Sequence, residues 1–452
     1  MLSQPTFFTY SPAPSQEGAE RYHVLFHLNR SGWLVVNNTG LQIATILQNT
    51  THAKDAINCL IDKYSLSPEI ARKDVSYVAD QLRTLDFLDE NNPAILTRSP
   101  SLDSLYIHLT SRCNLNCPHC YVSKPNNKTD KDLSISSLFK MIDQLADRGG
   151  KSIFFGGGEP LLHPEIKKIL KHASTKLEIH LLTNGTLIDK EWASFLGGLD
   201  AFVQISIDGS KPEIHDSIRG EGNFEKSLKA VQYLQEKGAG EKINFATTIM
   251  GQNLRDLSRI IALGAQRGVP LVRFLPLRQT GRAREEWEHI GAAMSVEDYE
   301  RFYDYTSDLN ACGRTSAKIS CGLSGFLLKI PIVSPEDDLW CPVGKQMVVD
   351  INGDAFPCVY LMREEFKLGN VNDESLSFMV QSDKMKMVCR ALSERRQKIQ
   401  KCAVCTWRNL CQAGCMGQAL DNTGTIWDTD DFCDYRKRAY KEAFDKILAI
   451  DD

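Results

Sequence analysis

Six short runs rich in β-branched and aromatic residues recur between Ser104 and Leu277: "SLYIHLT", "KSIFFGG", "LEIHLLTNG", "AFVQISIDG", "KINFATTIM" and "LVRFLPL". Helix-forming segments such as "IKKILKHAST" and "FEKSLKAVQYLQEKG" lie between them. Such alternation predicts parallel strands with outer helices, because a parallel crossover needs a connection of about a dozen residues or more. The result is α/β, closed as a barrel or left as an open doubly wound sheet. In both, functional loops follow the C-terminal ends of the strands. The conspicuous residues fall there: Cys113 to Cys120 after the first strand, "GGGEP" after the second, "TNG" after the third and "SIDG" after the fourth.

The loop "CNLNCPHC" spaces its cysteines as C-x3-C-x2-C, part of a set of fourteen. Cys59 is alone, three lie at 113 to 120, and ten lie between 312 and 433. The N-terminal stretch lacks the basic and apolar regions of a signal peptide, and no run reaches the eighteen apolar residues of a membrane span. A cytoplasmic protein is expected, with no membrane contact. A reducing compartment argues for metal rather than disulfides. A formal net charge of -4 gives no reason to expect nucleic acid as a partner. Structural zinc takes four protein ligands. A 4Fe-4S cluster held by three thiolates instead leaves one iron for a ligand from outside the protein.

On these residues the chain resembles the radical S-adenosylmethionine (SAM) superfamily, whose C-x3-C-x2-C motif follows the first strand of a partial (β/α)6 barrel. The resemblance implies that Cys113, Cys117 and Cys120 hold a 4Fe-4S cluster. Its open iron binds the amino and carboxylate groups of SAM, which is cleaved to a hydrogen-abstracting 5′-deoxyadenosyl radical. It further implies that Gly157, Gly158 and Glu159 receive the amino group, that Ser206 and Asp208 meet ribose hydroxyls, and that Arg219 faces the carboxylate. His119 would lie near adenine, and the backbone of "RFLPL" would meet the base. Read alone, "GGGEP" is equally an ordinary strand-to-helix turn, Asp208-Gly209 a turn pair and Arg219 a solvated charge. Their placement on successive strand ends joins them.

Beyond about Thr280 the alternation stops, and only "YRKRAYKEAFDKILAI" reads as helical. The cysteines there run Cys341-x11-Gly353-x4-Cys358, then Cys402-x2-Cys405-x5-Cys411-x3-Cys415, then Cys433. This resembles the SPASM extension of radical enzymes, which carries two auxiliary 4Fe-4S clusters, giving three in all. The resemblance assigns Cys402, Cys405, Cys411 and Cys433 to an outer cluster and Cys341, Cys358 and Cys415 to an inner one. Its fourth ligand is Cys321, Cys312 or none, with Cys321 the candidate. Zinc ribbons are the plain alternative for C-x2-C pairs. Cys59 and Cys389 read as buried small hydrophobes.

Near the N-terminus, "YHVLFHLN" and "WLVVN" read as strands, followed by three amphipathic helical segments with Thr39 and Ser67 as candidate N-caps. "DENNPAILTRSP" reads as a linker. The region resembles the leader-peptide recognition domain of ribosomal peptide maturation, a winged-helix-like α+β fold related to the peptide chaperone of pyrroloquinoline quinone biosynthesis. The expected organisation is therefore a recognition domain at 1–95, a radical SAM barrel at 100–285, and a bridging region with the SPASM domain at 286–452.

The whole resembles a SPASM peptide maturase. The expected reaction is an intrapeptide thioether or carbon–carbon crosslink in a precursor bound through its leader, with an electron donor such as flavodoxin or ferredoxin. Alternatives are epimerisation, cysteine or serine oxidation as in sulfatase maturation, and a non-enzymatic zinc-containing peptide-binding protein.

Overall fold

A computed structural model describes residues 7–12, 21–28, 32–50, 52–85, 87, 98–122, 132–290, 295–321 and 341–449. The expected linker "DENNPAILTRSP" lies largely outside these residues. Contacts divide the chain into two units, one holding residues 1–98, 326–341 and 390–452, the other 99–325 and 342–389.

In the first unit, β1 (Phe7–Tyr10), β2 (Tyr22–His27) and β3 (Trp33–Asn37) form an antiparallel sheet in that order. Helices α1 (Asn38–Asn49), α2 (Ala53–Tyr64) and α3 (Pro68–Thr84) follow. Leu25, Val36, Ile43, Leu47, Leu60, Val75 and Leu82 share one core across sheet and helices. Ser67 caps α3 as expected, accepting from the Ile70 amide ahead of a proline in the first turn. Thr39 is not a cap: Asn37 accepts from the Gly40 amide at 2.9 Å, because the helix begins directly at the strand end. Of the later helices of this unit, Gln400–Ala403 carries Cys402, Arg408–Cys411 carries Cys411 and Cys433–Leu448 carries Cys433, while Cys415 immediately precedes Met416–Thr423.

The second unit is built on a ten-stranded sheet. Its centre is the expected parallel series β4 (Ser104–Thr110), β5 (Ser152–Gly157), β6 (Glu178–Thr183), β7 (Phe202–Ser206), β8 (Ile243–Ile249) and β9 (Leu271–Pro276). β4 and β9 do not pair with one another. β10 (Lys318–Cys321) runs parallel beside β9, and β11 (Gln346–Val349) parallel beside β4, followed by antiparallel β12 (Asp354–Phe356) and β13 (Gly369–Asn370). The sheet thus continues past residue 285.

Helices also occur where none was expected from the sequence. Val296–Cys312 starts with a capping box of Ser295 and Asp298. Asp383–Lys398 ends in Arg395 and Arg396, both buried. Arg395 donates to the carbonyls of Ala413, Gly414, Ile426 and Asp428. The buried residues Met385, Val388, Cys389 and Leu392 of the same helix recur at helical spacing, so the apolar face continues into the buried arginines.

Candidate functional site

The loop after β4 is fixed by backbone contacts to the loop after β5. Gly158 N donates to Thr110 O and Glu159 N to Arg112 O, both at 2.8 Å. Gly157 has φ +112°, and a Cβ on Gly158 would overlap the Arg112 carbonyl, so side chains are excluded where the two loops meet. The third strand end locks onto both. Glu159 accepts from Thr183 Oγ1 at 2.7 Å and from the Asn184 amide at 2.9 Å. Asn114, between the first two cysteines, is bonded by Asn184 at 2.9 Å and donates to Thr186 at 2.8 Å. Burial pushes the Glu159 carboxyl up to about 6 despite its donors.

The fourth strand end supplies a buried ion pair. Arg219, at the end of helix Pro212–Arg219, donates from Nε to Asp208 Oδ2 at 2.6 Å. His119 Nε2 lies 3.3 Å from the same oxygen, and the Thr248 amide donates to Oδ1 at 2.8 Å. Burial alone would raise the Asp208 pKa, but Arg219 and His119 hold it below the usual range. Burial likewise opposes the Arg219 charge, and Asp208 with Cys117 outweighs it. Both Asp208 oxygens are engaged within the protein. A buried carboxylate is tied in this way to a neighbouring cation. His119, expected near adenine, faces this pair through Nε2, while its Nδ1 is buried with no hydrogen-bond partner among the described residues. Ser206 is half-buried at the end of β7.

Sequence reasoning assigned no role to Asn114, Thr183, Asn184 or Arg282. The "TNG" loop was visible at its strand end. Arg282 gave no signal, yet its Nη1 donates to Cys117 O at 2.6 Å and the next amide, of Ala283, to Cys120 O at 3.2 Å.

The donor set fits a cluster with a further ligand. Burial raises the Cys113 thiol to about 11 and that of Cys117 in the same direction, so neither favours the thiolate until a cation claims it. The orphan His119 nitrogen, beside the cysteine loop, provides a polar partner for a bound molecule.

In the other unit, Cys402, Cys405, Cys411 and Cys433 line one small, partly open cavity. Lys401, Arg408, Arg436 and Lys437 share its wall. Arg436 donates from Nε to Cys411 Sγ at 3.2 Å, and its terminal nitrogens bond to the buried Asp430. Burial pushes Cys402 up to about 12, with Cys411, Cys433 and Cys405 adding to it. Cys415 is raised to about 12, by burial and then by Cys341, which places those two sulfurs within one another's field. Cys358 is buried in the barrel unit, just after β12. Cys321 turns to the helical side of the sheet, paired in register with Phe274 and with its sulfur 3.4 Å from Thr306 Oγ1. Cys312 is exposed at the end of its helix.

Three family descriptions match in succession. Coenzyme PQQ synthesis protein D (PqqD) matches residues 22–88, the radical SAM superfamily residues 107–264, and the iron-sulfur cluster-binding SPASM domain residues 341–406. The chain carries a radical SAM domain followed by a SPASM domain, the make-up of a SPASM-type radical SAM enzyme. It uses SAM and a 4Fe-4S cluster in the barrel, with auxiliary iron-sulfur clusters in the SPASM domain. Among its relatives, the AdoMet-dependent heme synthase of Methanosarcina barkeri is 27% identical over 75% of this chain and 98% of its own length. The mycofactocin maturase MftC of Mycolicibacterium smegmatis is 28% identical over 68% of this chain and 76% of its own. The fold is shared with native anSMEcpe with bound AdoMet (TM-score 0.62, 22% identity, 77% of this chain and 98% of that one). It is shared equally with Streptococcus suis SuiB bound to S-adenosylmethionine (TM-score 0.61, 17% identity, 91% and 96%). Among the described residues no helix is long and apolar enough to cross a membrane.

Proposed function

We propose that this SPASM enzyme modifies a ribosomally made precursor peptide, joining two core residues through a thioether or carbon–carbon bond. The observation that carries the reading is the N-terminal sheet. β1 and β3 each pair only with β2 among the described strands, so two sheet edges offer backbone donors and acceptors to an added strand. A leader docked there would tether the core peptide and raise its effective concentration at the barrel. The match of this region to PqqD, the MftC relative and the fold shared with SuiB bound to precursor peptide SuiA support the same substrate class.

In this reading Cys113, Cys117 and Cys120 hold the barrel cluster, and Glu159 with the surrounding backbone receives the cofactor's ammonium group. Asp208 positions Arg219, leaving the far edge of its guanidinium for a carboxylate. When bound, SAM and the reduced cluster supply one-electron chemistry that abstracts hydrogen from carbon. Cys402, Cys405, Cys411 and Cys433 hold an outer auxiliary cluster, and Cys341, Cys358 and Cys415 an inner one. The helix-side position of Cys321 supports leaving it out of the inner set. Reduced enzyme, incubated anaerobically with SAM and a short peptide encoded beside its gene, should shorten that peptide's mass by two hydrogens. Unchanged mass with deuterium uptake from heavy water would replace crosslinking by epimerisation, and no change in any such peptide would end the reading.

A further inference from the structure

The wall of the barrel unit formed by β7 to β10 carries a charge that no described residue pairs with. Register aligns Ser206, Ala246, Arg273 and Ser320 across the four strands. The residues flanking Arg273 face outward: Val272 lies against Gly264 of helix Leu257–Gln266, and the Phe274 ring meets Phe302 of helix Val296–Cys312 at 4.8 Å. Strand alternation therefore turns Arg273 to the inner face. Its charge reaches His180 on β6, three strands away, adding to the burial that lowers the imidazole pKa. The two side chains face the same space.

Arg273 is half-buried, and among the described residues it forms no ion pair or hydrogen bond. Burial lowers its pKa with no carboxylate acting against it. Gln204 and Asn244, on the same inner face, are likewise half-buried and, among the described residues, without a side-chain hydrogen bond. Arg278, five residues on, is used quite differently: it donates to Val359 O and stacks on the Tyr360 ring at 3.9 Å. A desolvated guanidinium without a partner weakens the folded state. A planar carboxylate, accepting two parallel N–H bonds, is the group that best offsets that cost.

We propose that Arg273 is a specificity-determining residue that receives a carboxylate of the substrate, with Gln204 and Asn244 beside it as further donors. This rests on the peptide reading for what bears the carboxylate, which is then an Asp or Glu side chain or the C-terminus of the core segment. The site is separate from Arg219, whose charge is already shared with Asp208.

The test uses iron-loaded, full-length enzyme saturated with SAM and titrated calorimetrically with three blocked tripeptides. These are acetyl-Gly-Glu-Gly-amide, acetyl-Gly-Gln-Gly-amide and acetyl-Gly-Gly-Gly with a free C-terminus. The wild type is expected to bind a carboxylate-bearing peptide at least tenfold more tightly than the glutamine peptide. Preference for the glutamate peptide assigns a side chain, and preference for the free C-terminus assigns the chain end. Arg273→Gln should erase the preference while melting no lower than the wild type, because no native partner is lost. Arg273→Lys should restore part of it. No preference in the wild type, or a preference surviving in Arg273→Gln, overturns the proposal. So does an Arg273→Gln variant whose main defect is in SAM affinity. If the carboxylate preference holds while no peptide is ever changed in mass, the subsite stands and the peptide reading falls.

Discussion

Arg219 Nε donates to Asp208 Oδ2 at 2.6 Å, and His119 Nε2 lies 3.3 Å from that same oxygen. One carboxylate thus orients both a cation beside the cysteine loop and the ring preceding its third cysteine. Asp208→Asn keeps the shape and removes the charge, stranding a buried guanidinium. The expected cost is about 3–5 kcal/mol of stability, read by denaturant unfolding of the iron-free protein. SAM affinity, measured by equilibrium dialysis of the loaded enzyme, should fall at least tenfold. Unchanged unfolding would mean that the pair is not closed in solution.

Glu159 gives the site a pH dependence of definite sign. Its carboxyl is raised from an ordinary 4.5 to about 6, so the fold binds this proton more tightly than the unfolded chain does. The resulting stabilisation is present below about pH 4.5 and is lost as pH rises through 6. At roughly 1.4 kcal/mol per unit this amounts to about 2 kcal/mol. Glu159→Gln should flatten that part of the stability curve in iron-free protein. Affinity for an ammonium-bearing cofactor should run the other way, strengthening as the carboxylate forms above pH 6.

Arg436 bridges a thiol and a buried acid, donating to Cys411 Sγ at 3.2 Å and pairing with Asp430. Asp430 in turn accepts from the Cys415 amide at 2.7 Å, so the pair connects both cysteine groups of this unit. Arg436→Met should leave Asp430 unpaired, at a cost of about 3–5 kcal/mol. It should also lower iron content by about four atoms per chain, the content of one cluster. Iron analysis of anaerobically reconstituted protein decides the matter, with Arg436→Lys expected to retain most of the metal. Full iron content in the methionine variant would remove the role assigned to Arg436.

The six barrel strands were legible because alternating apolar residues and helical connections leave a strong periodic signal, and the chemistry-bearing loops followed from them. β1 was missed because "FFTY" is four residues long and sits beside proline-rich sequence. The cap at Asn37 was missed because strand and helix adjoin without a loop to mark the boundary. Glu159, Asp208 and Arg219 were identifiable as types at strand and helix ends, whereas the pairing that draws Asp208 to Arg219 exists only in three dimensions. Asn184 and Arg282 act by bonding to backbone and amide groups of distant loops, which no local pattern records. The orientation of Cys321 depends on which face of β10 meets Thr306, a matter of register rather than spacing.

The N-terminal sheet and the group of Cys402, Cys405, Cys411 and Cys433 share a core within their unit, so under the proposed reading peptide docking depends on metal content. Phe26 of β2 meets Trp407 at 5.5 Å and Phe444 at 5.0 Å, edge to face, and Trp33 of β3 meets Phe444 at 5.3 Å. Trp407 also lines the cysteine cavity, and Asn409 donates to the carbonyls of His27 and Leu28. The aromatic face that supports β2 is therefore the back wall of the cysteine group. Emptying a filled cavity lets its walls relax and loosens what packs on them. Removing iron with a chelator should accelerate amide exchange at Val24, Leu25 and Phe26, in the middle of β2, as well as in the cysteine run. Phe444→Ala should have the same effect with iron retained, at about 3–5 kcal/mol, because it opens the shared core from the other side. Exchange in β2 that ignores both changes would mean that the sheet is stabilised by α1 to α3 alone, and that peptide docking is independent of the cluster.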